Sequence, residues 1–260
     1  MKDFVKNIHF LSQGEGRPVI FLHGFCETHK IWENFIPLLS SNVKTFALDL
    51  PGFGSSPLYS STFTLDEVAQ ELNFWIEAQG LKKPILIGHS LGGYISLSMI
   101  ATNASLFSGL ILFHSTALPD SDAKQQSRLK AIEFVRKNGV EAFVQNFIPG
   151  LFYDEEHPAV PSAMRLASAT VVETFISYTL AMKDRPDRTH VLEKSIFPVL
   201  LIGGEFDPVI EADSLKRQAL LNSNIDFSNL LNTSHMGFLE SPEASAEAVN
   251  HLILRVSNPQ

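Results

Sequence analysis

The sequence predicts an α/β protein in which a mostly parallel sheet is covered on both faces by helices. Two observations support this: short apolar runs recur along the chain, and helical spacings of apolar residues lie between them. The five strong runs are bounded by Gly, Pro or Asp and show little polar alternation, which is typical of strands buried on both faces. They cover 19–22, 45–48, 85–87, 110–113 and 199–202, and a weaker sixth run covers 225–231.

Composition excludes several classes of protein. The chain has 260 residues, of which 45% are hydrophobic and 18% charged, so it is not a disordered chain. Its net charge of −8 argues against nucleic-acid binding, which normally needs a basic surface. No apolar run approaches the ~18 residues of a membrane span, and residues 1–7 lack the apolar segment of a signal peptide. We therefore expect a cytoplasmic protein that binds neither nucleic acid nor membranes.

Helical spacings occur at 32–39, 65–76 and 249–256, where apolar residues recur three or four positions apart. The last helix is predicted to begin with Ser241 as its N-cap and Pro242 at its first position. The segment 118–189 contains apolar stripes at 140–148 and 164–182 but no strand pattern. It is predicted to be a helical insertion between two strands, which leaves 1–117 and 190–260 as the core.

The sequence Gly88-His89-Ser90-Leu91-Gly92-Gly93 follows one predicted strand and begins a helical stretch. In this setting a G-x-S-x-G match indicates a nucleophilic serine on a strained turn, with its hydroxyl clear of the sheet. Gly88 and Gly92 leave room where strand and helix approach each other. The alternative interpretation is a glycine-rich turn that only caps a helix.

A second motif, His23-Gly24-Phe25, directly follows the run at 19–22. A backbone N–H at this point, paired with the N–H of Leu91, would form an oxyanion hole. Each such donor contributes on the order of 10²–10³ in rate. The alternative is an ordinary turn with a structural histidine, but the nearby Ser90 motif favours the functional interpretation. The single cysteine, Cys26, excludes an internal disulfide and is expected to be a buried, inert thiol.

Asp207 and His235 complete the predicted site. Each follows one of the last two predicted strands, so both lie with Ser90 at the carboxyl edge of the sheet. A serine hydroxyl needs a base to take its proton, and an imidazole held by a carboxylate does this near neutral pH. Glu205 and Asp120 remain the alternative carboxylates.

These motifs, together with Asp-Leu-Pro-Gly-Phe-Gly-Ser-Ser at 49–56 and Ser-His-Met-Gly at 234–237, resemble the α/β-hydrolase family over residues 5 to 257. The resemblance implies a sheet of about eight strands, a helical cap inserted after the sixth, and neither metal nor cofactor. Only 18 residues precede the first buried strand, which predicts a truncated edge hairpin. The roles implied are Ser90 as nucleophile, His235 as base, Asp207 as acid, and the N–H groups of Phe25 and Leu91 as oxyanion donors.

The resemblance further implies a serine hydrolase that cleaves small to medium carboxylic esters through an acyl-enzyme. A serine rather than an aspartate at position 90 disfavours epoxide opening and dehalogenation, and His-Gly-Phe resembles the capped esterase, C–C hydrolase and cofactor-free perhydrolase branch. The alternatives are C–C hydrolysis, perhydrolysis or acyl transfer by the same triad, or a small-molecule sensor with weak hydrolysis. Candidate pocket residues are His23, Phe143, Phe147, Phe175 and Tyr178, although the stripes in the insertion could instead pack onto each other.

Overall fold

The sheet is the central layer of the computed structural model, which describes residues 7–40, 42–58 and 60–257. Residues 1–6, which carry most of the signal-peptide prediction, lie outside these ranges. The strands are β1 (Phe10–Gly14), β2 (Arg17–Leu22), β3 (Val43–Leu48), β4 (Ile85–His89), β5 (Gly109–Phe113), β6 (Val199–Gly204) and β7 (Ile225–Leu230). Their order is β1-β3-β2-β4-β5-β6-β7. β1 runs antiparallel to β3, and all other pairs are parallel.

Helices cover both faces of this sheet. The α-helices are α1 (Leu65–Ala78), α2 (Leu91–Asn103), α3 (Asp122–Phe147), α4 (Val160–Ser168), α5 (Val172–Lys183), α6 (Thr189–Glu193), α7 (Ala212–Ala219), α8 (Gly237–Glu240) and α9 (Pro242–Ser257). Helices α3 to α6 lie between β5 and β6. Of these, α3 to α5 lie within 118–189, the segment predicted to be a helical insertion, whereas α6 extends beyond it. Among the described helices, none is both long enough and apolar enough to cross a bilayer.

The strands divide the core into two apolar layers because successive side chains point to opposite faces. In β2, Ile20 and Leu22 join the layer that contains α1 and α2. Val19 and Phe21 join the layer that contains α9 and parts of α3 and α4. This two-sided burial explains why the strands lack polar alternation, and it confirms the predicted α/β fold.

Three details differ from the sequence-based expectations. β1 was not predicted, because four of its five residues are exposed at the sheet edge and give no apolar run. Since this edge is a single strand, the described sheet has seven strands rather than about eight, and the helical segment follows the fifth strand rather than the sixth. The stretch at 32–39 forms two short 3₁₀ helices, His29–Trp32 and Ile36–Leu38, rather than one α-helix.

The stripe at 164–182 is divided between two helices. It breaks where Val171 adopts an extended backbone, with φ −75° and ψ 149°. By contrast, α9 begins at Pro242 as predicted.

The order of the strands creates a crevice at the carboxyl edge of the sheet. From β2 the chain passes to β3 on one side, and it then returns to β4 on the other side of β2. The loops that follow β2 and β4 therefore diverge, which is where open α/β sheets bind ligands. His23-Gly24-Phe25 and Ser90 follow these two strands.

Candidate active site

Ser90 lies on the turn between β4 and α2, in a strained backbone conformation. Its φ of 47° and ψ of −111° fall where a residue with a side chain is disfavoured. The turn is held by hydrogen bonds on both sides: the Ser90 N–H donates to the Phe113 carbonyl (2.9 Å), and its carbonyl accepts from Ser115 Oγ (2.8 Å). These contacts fix the turn that presents the Ser90 hydroxyl to the crevice.

The two glycines of this turn are required by close backbone approach. A Cβ on Gly88 would lie 2.5 Å from the Gly92 carbonyl, and a Cβ on Gly92 would collide with the Leu22 carbonyl oxygen. Such contacts are far shorter than van der Waals separation, so any side chain would push α2 away from β2 and β4. The glycines thereby allow the first turn of α2 to sit against both strands.

His235 and Asp207 form a hydrogen-bonded pair. His235 Nδ1 lies 2.8 Å from Asp207 Oδ2 and 3.0 Å from Oδ1. Oδ1 also accepts the backbone N–H groups of Val209 (2.8 Å) and Ile210 (2.9 Å). Because Nδ1 faces a carboxylate it carries the proton, which leaves Nε2 as the basic nitrogen. His235 and Ser90 line the same cavity.

A second imidazole contacts the same carboxylate. His114 Nδ1 lies 3.0 Å from Asp207 Oδ2, while His114 Nε2 accepts the N–H of Gly237 (3.1 Å). His114 is therefore a neutral donor, and burial lowers its pKa to about 4. Burial alone would raise the pKa of Asp207, but the two imidazoles hold it well below its usual range. The carboxylate thus stays ionised.

A buried ion pair joins three loops behind the crevice. His89 Nδ1 lies 3.1 Å from Glu27 Oε2, and His89 Nε2 lies 3.0 Å from the His235 carbonyl. Both ring nitrogens face hydrogen-bond acceptors, so the protonated ring, which carries a proton on each nitrogen, can donate to both acceptors. Burial alone would lower the pKa of His89, but the Glu27 carboxylate raises it above the ordinary value. The same Glu27 oxygen accepts the N–H of Gly24 (2.7 Å), so the pair connects the loops of Phe25, Ser90 and His235.

Two backbone N–H groups near the crevice lack a hydrogen-bond acceptor among the residues described. Within the described part of the chain, the N–H groups of Phe25 and Leu91 have no hydrogen-bond acceptor. Leu91 is the first residue of α2, where the helix leaves its amides unpaired and the macrodipole favours negative charge. Both residues adjoin the crevice, Phe25 as a lining residue and Leu91 as the neighbour of Ser90.

The cavity above these groups has a volume of about 420 Å³. Its walls come from the β2 and β4 loops, from α3 and α5, and from the loop that carries Asp207. The lining residues are Phe25, Ser90, Tyr94, Lys124, Ser127, Arg128, Ala131, Phe143, Phe147, Phe175, Thr179, Met182, Pro208, Val209 and His235.

Three of the five candidate pocket residues, Phe143, Phe147 and Phe175, line this cavity, whereas His23 and Tyr178 do not. His23 is fully buried and supports the backbone instead, since its Nε2 accepts the N–H of Leu50 (2.9 Å). Tyr178 is fully buried in the core, with its ring centroid 4.9 Å from that of Phe53. The helical pattern that predicted Tyr178 could not distinguish the inner side of α5 from its cavity side.

The two alternative carboxylates lie away from His235. Glu205 accepts the N–H of Asn232 (3.1 Å), and Asp120 binds Arg128 and Arg185. Among the three candidates, Asp207 alone contacts the imidazole of His235 in the described structure.

Several features of the site have no signal in the sequence. His114 directly follows the apolar run at 110–113, but nothing in that pattern indicates that its ring contacts Asp207. The partnership of Glu27 with His89 joins residues 62 positions apart and leaves no local pattern. Lys124 and Arg128 belong to a stretch whose polar residues are indistinguishable, in sequence, from a solvated helix face.

Among residues 7–40, 42–58 and 60–257, two clusters have spacings that a metal ion could use: His114, Asp207 and His235, and His9, His29 and Asp49. In both clusters, the nitrogen and oxygen atoms that could bind a metal already form hydrogen bonds with one another. Asp49 accepts from the backbone and the ring of His29 (both 2.8 Å), and Asp207 accepts from its two imidazoles.

Comparisons with known proteins identify the class. Residues 17–131 match a family model described as the α/β hydrolase fold. A malate-bound thermophilic esterase from Thermogutta terrifontis superposes with a TM-score of 0.90 and 26% identity, covering 96% of this chain and 94% of that chain. A 2-hydroxy-6-oxo-6-(2'-aminophenyl)hexa-2,4-dienoic acid hydrolase from Metapseudomonas resinovorans is 24% identical over 95% of this chain and 87% of its own length.

A pimeloyl-[acyl-carrier protein] methyl ester esterase from Wigglesworthia glossinidia brevipalpis is 24% identical over 90% of this chain and 93% of its own length. Fold, family match and relatives agree on a hydrolase with the α/β fold. The chain has the α/β-hydrolase fold, and the relatives named here include esterases and a dienoic acid hydrolase.

Proposed function

We propose that this protein is a serine hydrolase that cleaves small to medium carboxylic esters through an acyl-enzyme. The observation that carries the proposal is the shared cavity: Ser90, on its strained turn, and His235, hydrogen-bonded to Asp207, both line it. A volume of about 420 Å³ suits a small organic ligand, since ligand pockets span roughly 300–1,000 Å³.

In the proposed reaction, Ser90 Oγ attacks the ester carbonyl carbon while His235 Nε2 takes the hydroxyl proton. Asp207 keeps the Nδ1 proton in place and stabilises the imidazolium. Collapse of the tetrahedral intermediate breaks the C–O bond to the alcohol, which leaves with the proton from Nε2. A water deprotonated by His235 then attacks the acyl-enzyme, and the acid is released as Ser90 recovers its proton.

The tetrahedral intermediates carry a negative oxygen, which we assign to the N–H groups of Phe25 and Leu91. Both donors are backbone groups with fixed positions, so they need little reorganisation when charge develops. The pair of Glu27 and His89 supports this assignment, because it fixes Gly24 next to Phe25 and His89 next to Ser90.

We also propose that 118–189 acts as a cap. Its helices α3 and α5 supply the aromatic side chains of Phe143, Phe147 and Phe175 to the cavity wall. The cap therefore determines which acyl groups fit.

The test is hydrolysis of p-nitrophenyl butyrate by the parent protein, by Ser90→Ala and by Ser105→Ala. Ser105 is an exposed serine past α2, so its variant controls for the loss of a hydroxyl. Multiple turnovers by the parent and the control, with none by Ser90→Ala, are expected. A folded parent without turnover, or an active Ser90→Ala, would overturn the proposal.

A second candidate is hydrolysis of a carbon–carbon bond in a vinylogous diketone. The observation that favours it is the similarity to the dienoic acid hydrolase. A vinylogous 1,5-diketone assayed beside the ester, with and without hydrogen peroxide, separates this reaction and perhydrolysis from ester hydrolysis.

A further inference from the structure

The first three turns of α3 present a basic face to the cavity. Lys124, Ser127, Arg128 and Ala131 all line the cavity, and their spacing places them on one side of the helix. Two of the four are cations, and no Asp or Glu is among the described residues that line the cavity. The chain as a whole carries 28 acidic against 20 basic residues, so this wall is the reverse of the overall charge.

Lys124 is held at the cavity without a carboxylate partner. Its Nζ donates to the carbonyl of Val209 (2.8 Å), another lining residue. Among the described residues, no carboxylate lies within 4.0 Å of this ammonium. Burial lowers the pKa of Lys124, opposed in part by Asp120. Lysine is also unfavourable in the first turn of a helix, so the placement costs stability that an anionic ligand would restore.

The nearby carboxylates are already engaged. Asp120 binds both Arg128 and Arg185, the latter through Nη1 at 2.6 Å. Asp207 receives two imidazoles and two backbone N–H groups. Two arginines therefore share Asp120, Lys124 has no carboxylate partner among the described residues, and neither Asp120 nor Asp207 lines the cavity.

Aromatic rings form the other wall. The ring of Phe175 lies 4.8 Å from that of Phe25 and 5.0 Å from that of Phe143, centroid to centroid. Phe143 in turn lies 5.0 Å from Phe147. This wall contacts aliphatic or aromatic groups, whereas the N-terminal part of α3, before the non-helical Gly139, offers an ammonium and a guanidinium.

We propose that the substrate is an anionic ester: a short acyl chain that ends in a free carboxylate held at Lys124 and Arg128, with the ester carbonyl at Ser90. The methylene groups of the chain contact the aromatic wall. The acyl group becomes bonded to Ser90 in acylation and is released in deacylation. The contact of its carboxylate with Lys124 and Arg128 therefore affects both steps. The inference rests on the proposed function and adds the substrate class.

The test compares monomethyl adipate with methyl hexanoate, which has the same chain length but no charge. Product acids are quantified by chromatography. The parent is expected to prefer monomethyl adipate at least tenfold in kcat/KM. In Lys124→Met this preference falls by about tenfold to a hundredfold, because a hydrogen bond to a charged group is lost. Lys124→Arg retains most of the preference, and Lys130→Met, which changes an exposed lysine on the same helix, retains all of it.

A parent that does not favour the charged ester, or a Lys124→Met variant that keeps the full preference, would overturn the inference. Binding of adipate to Ser90→Ala, measured by calorimetry, keeps the two proposals separate. If neither ester is hydrolysed, the proposed function fails. Adipate binding that weakens at least tenfold in Ser90→Ala/Lys124→Met would still support the anion site, and absence of binding would reject it.

Discussion

The carboxylate of Asp207 organises the histidines of the site. It accepts from His235, from His114 and from two backbone N–H groups, so all its contacts are with donors. The arrangement fixes the proton of His235 on Nδ1 and directs Nε2 to the cavity. An amide side chain at position 207 would place its NH₂ group, a hydrogen-bond donor, against one of these donors.

Asp207→Asn is therefore expected to reverse the tautomer of His235 and to lower kcat by about 10³–10⁴-fold, while the protein stays folded. The measurements are p-nitrophenyl butyrate turnover and the circular dichroism spectrum. Glu205→Gln is the matched control, because Glu205 contacts Asn232 rather than His235. Near-parent turnover by Asp207→Asn would remove Asp207 from the proposed mechanism.

His114 gives the protein a specific dependence of stability on pH. Its folded pKa of about 4 lies below the 6.5 of an ordinary histidine, so between these values the unfolded chain binds more protons than the folded one. Its contribution to stability is complete above pH 6.5 and is lost as the pH falls towards 4.

In His114→Asn this contribution is absent, while the amide can still donate to Asp207 and asparagine tolerates the φ of 48° at this position. Between pH 7 and pH 4.5 the parent is expected to lose roughly 2–3 kcal/mol more unfolding free energy than the variant. Urea unfolding at both pH values measures this difference. Equal losses in the two proteins would mean that His114 is not held neutral by the fold.

At the scale of elements, the loops after β2 and β4 and the loop of His235 are joined by one buried ion pair. Glu27 belongs to the first loop and His89 ends β4, and the pair also contacts the backbone of Gly24 and His235. Both side chains are buried, so water cannot replace a missing partner.

Glu27→Gln keeps the shape and removes the charge. We expect it to lower the free energy of unfolding by about 1–3 kcal/mol and to reduce kcat, because the donor of Phe25 and the base loop lose their common support. Urea unfolding and ester turnover measure the two effects. Glu33→Gln, at an exposed position nearby, should change neither. Unchanged stability in Glu27→Gln would show that the pair does not hold the loops together.

Elements were predictable from sequence where burial dictates the residue pattern. Strands β2 to β6 are apolar because helices cover both of their faces, whereas β7, a partly exposed edge strand, gives only the weaker run. Helix α9 begins at its proline. β1 was missed because an exposed edge strand needs no apolar run. The break between α4 and α5 was missed because the apolar spacing continues across Val171 although the backbone does not.

At the scale of the whole molecule, sheet topology made part of the site predictable. The motifs that carry Ser90, Asp207 and His235 follow three different strands, and a parallel sheet gathers such positions at one edge. The partners behind that edge could not be predicted, because they join distant residues through buried side chains. The basic face of α3 could not be predicted for a related reason. Whether the polar residues of this helix face solvent or a cavity depends on how the helix packs.

The most direct test of the central claim is where a fluorophosphonate reacts. This reagent forms a covalent bond with an activated serine and releases fluoride. Intact mass followed by peptide mapping should show one adduct, on the peptide that contains Ser90, and none in Ser90→Ala. Labelling in His235→Gln should be at least about a hundredfold slower, because the base that activates the hydroxyl is gone. An adduct on another residue, or none in a folded parent, would contradict the assignment of Ser90 as the nucleophile.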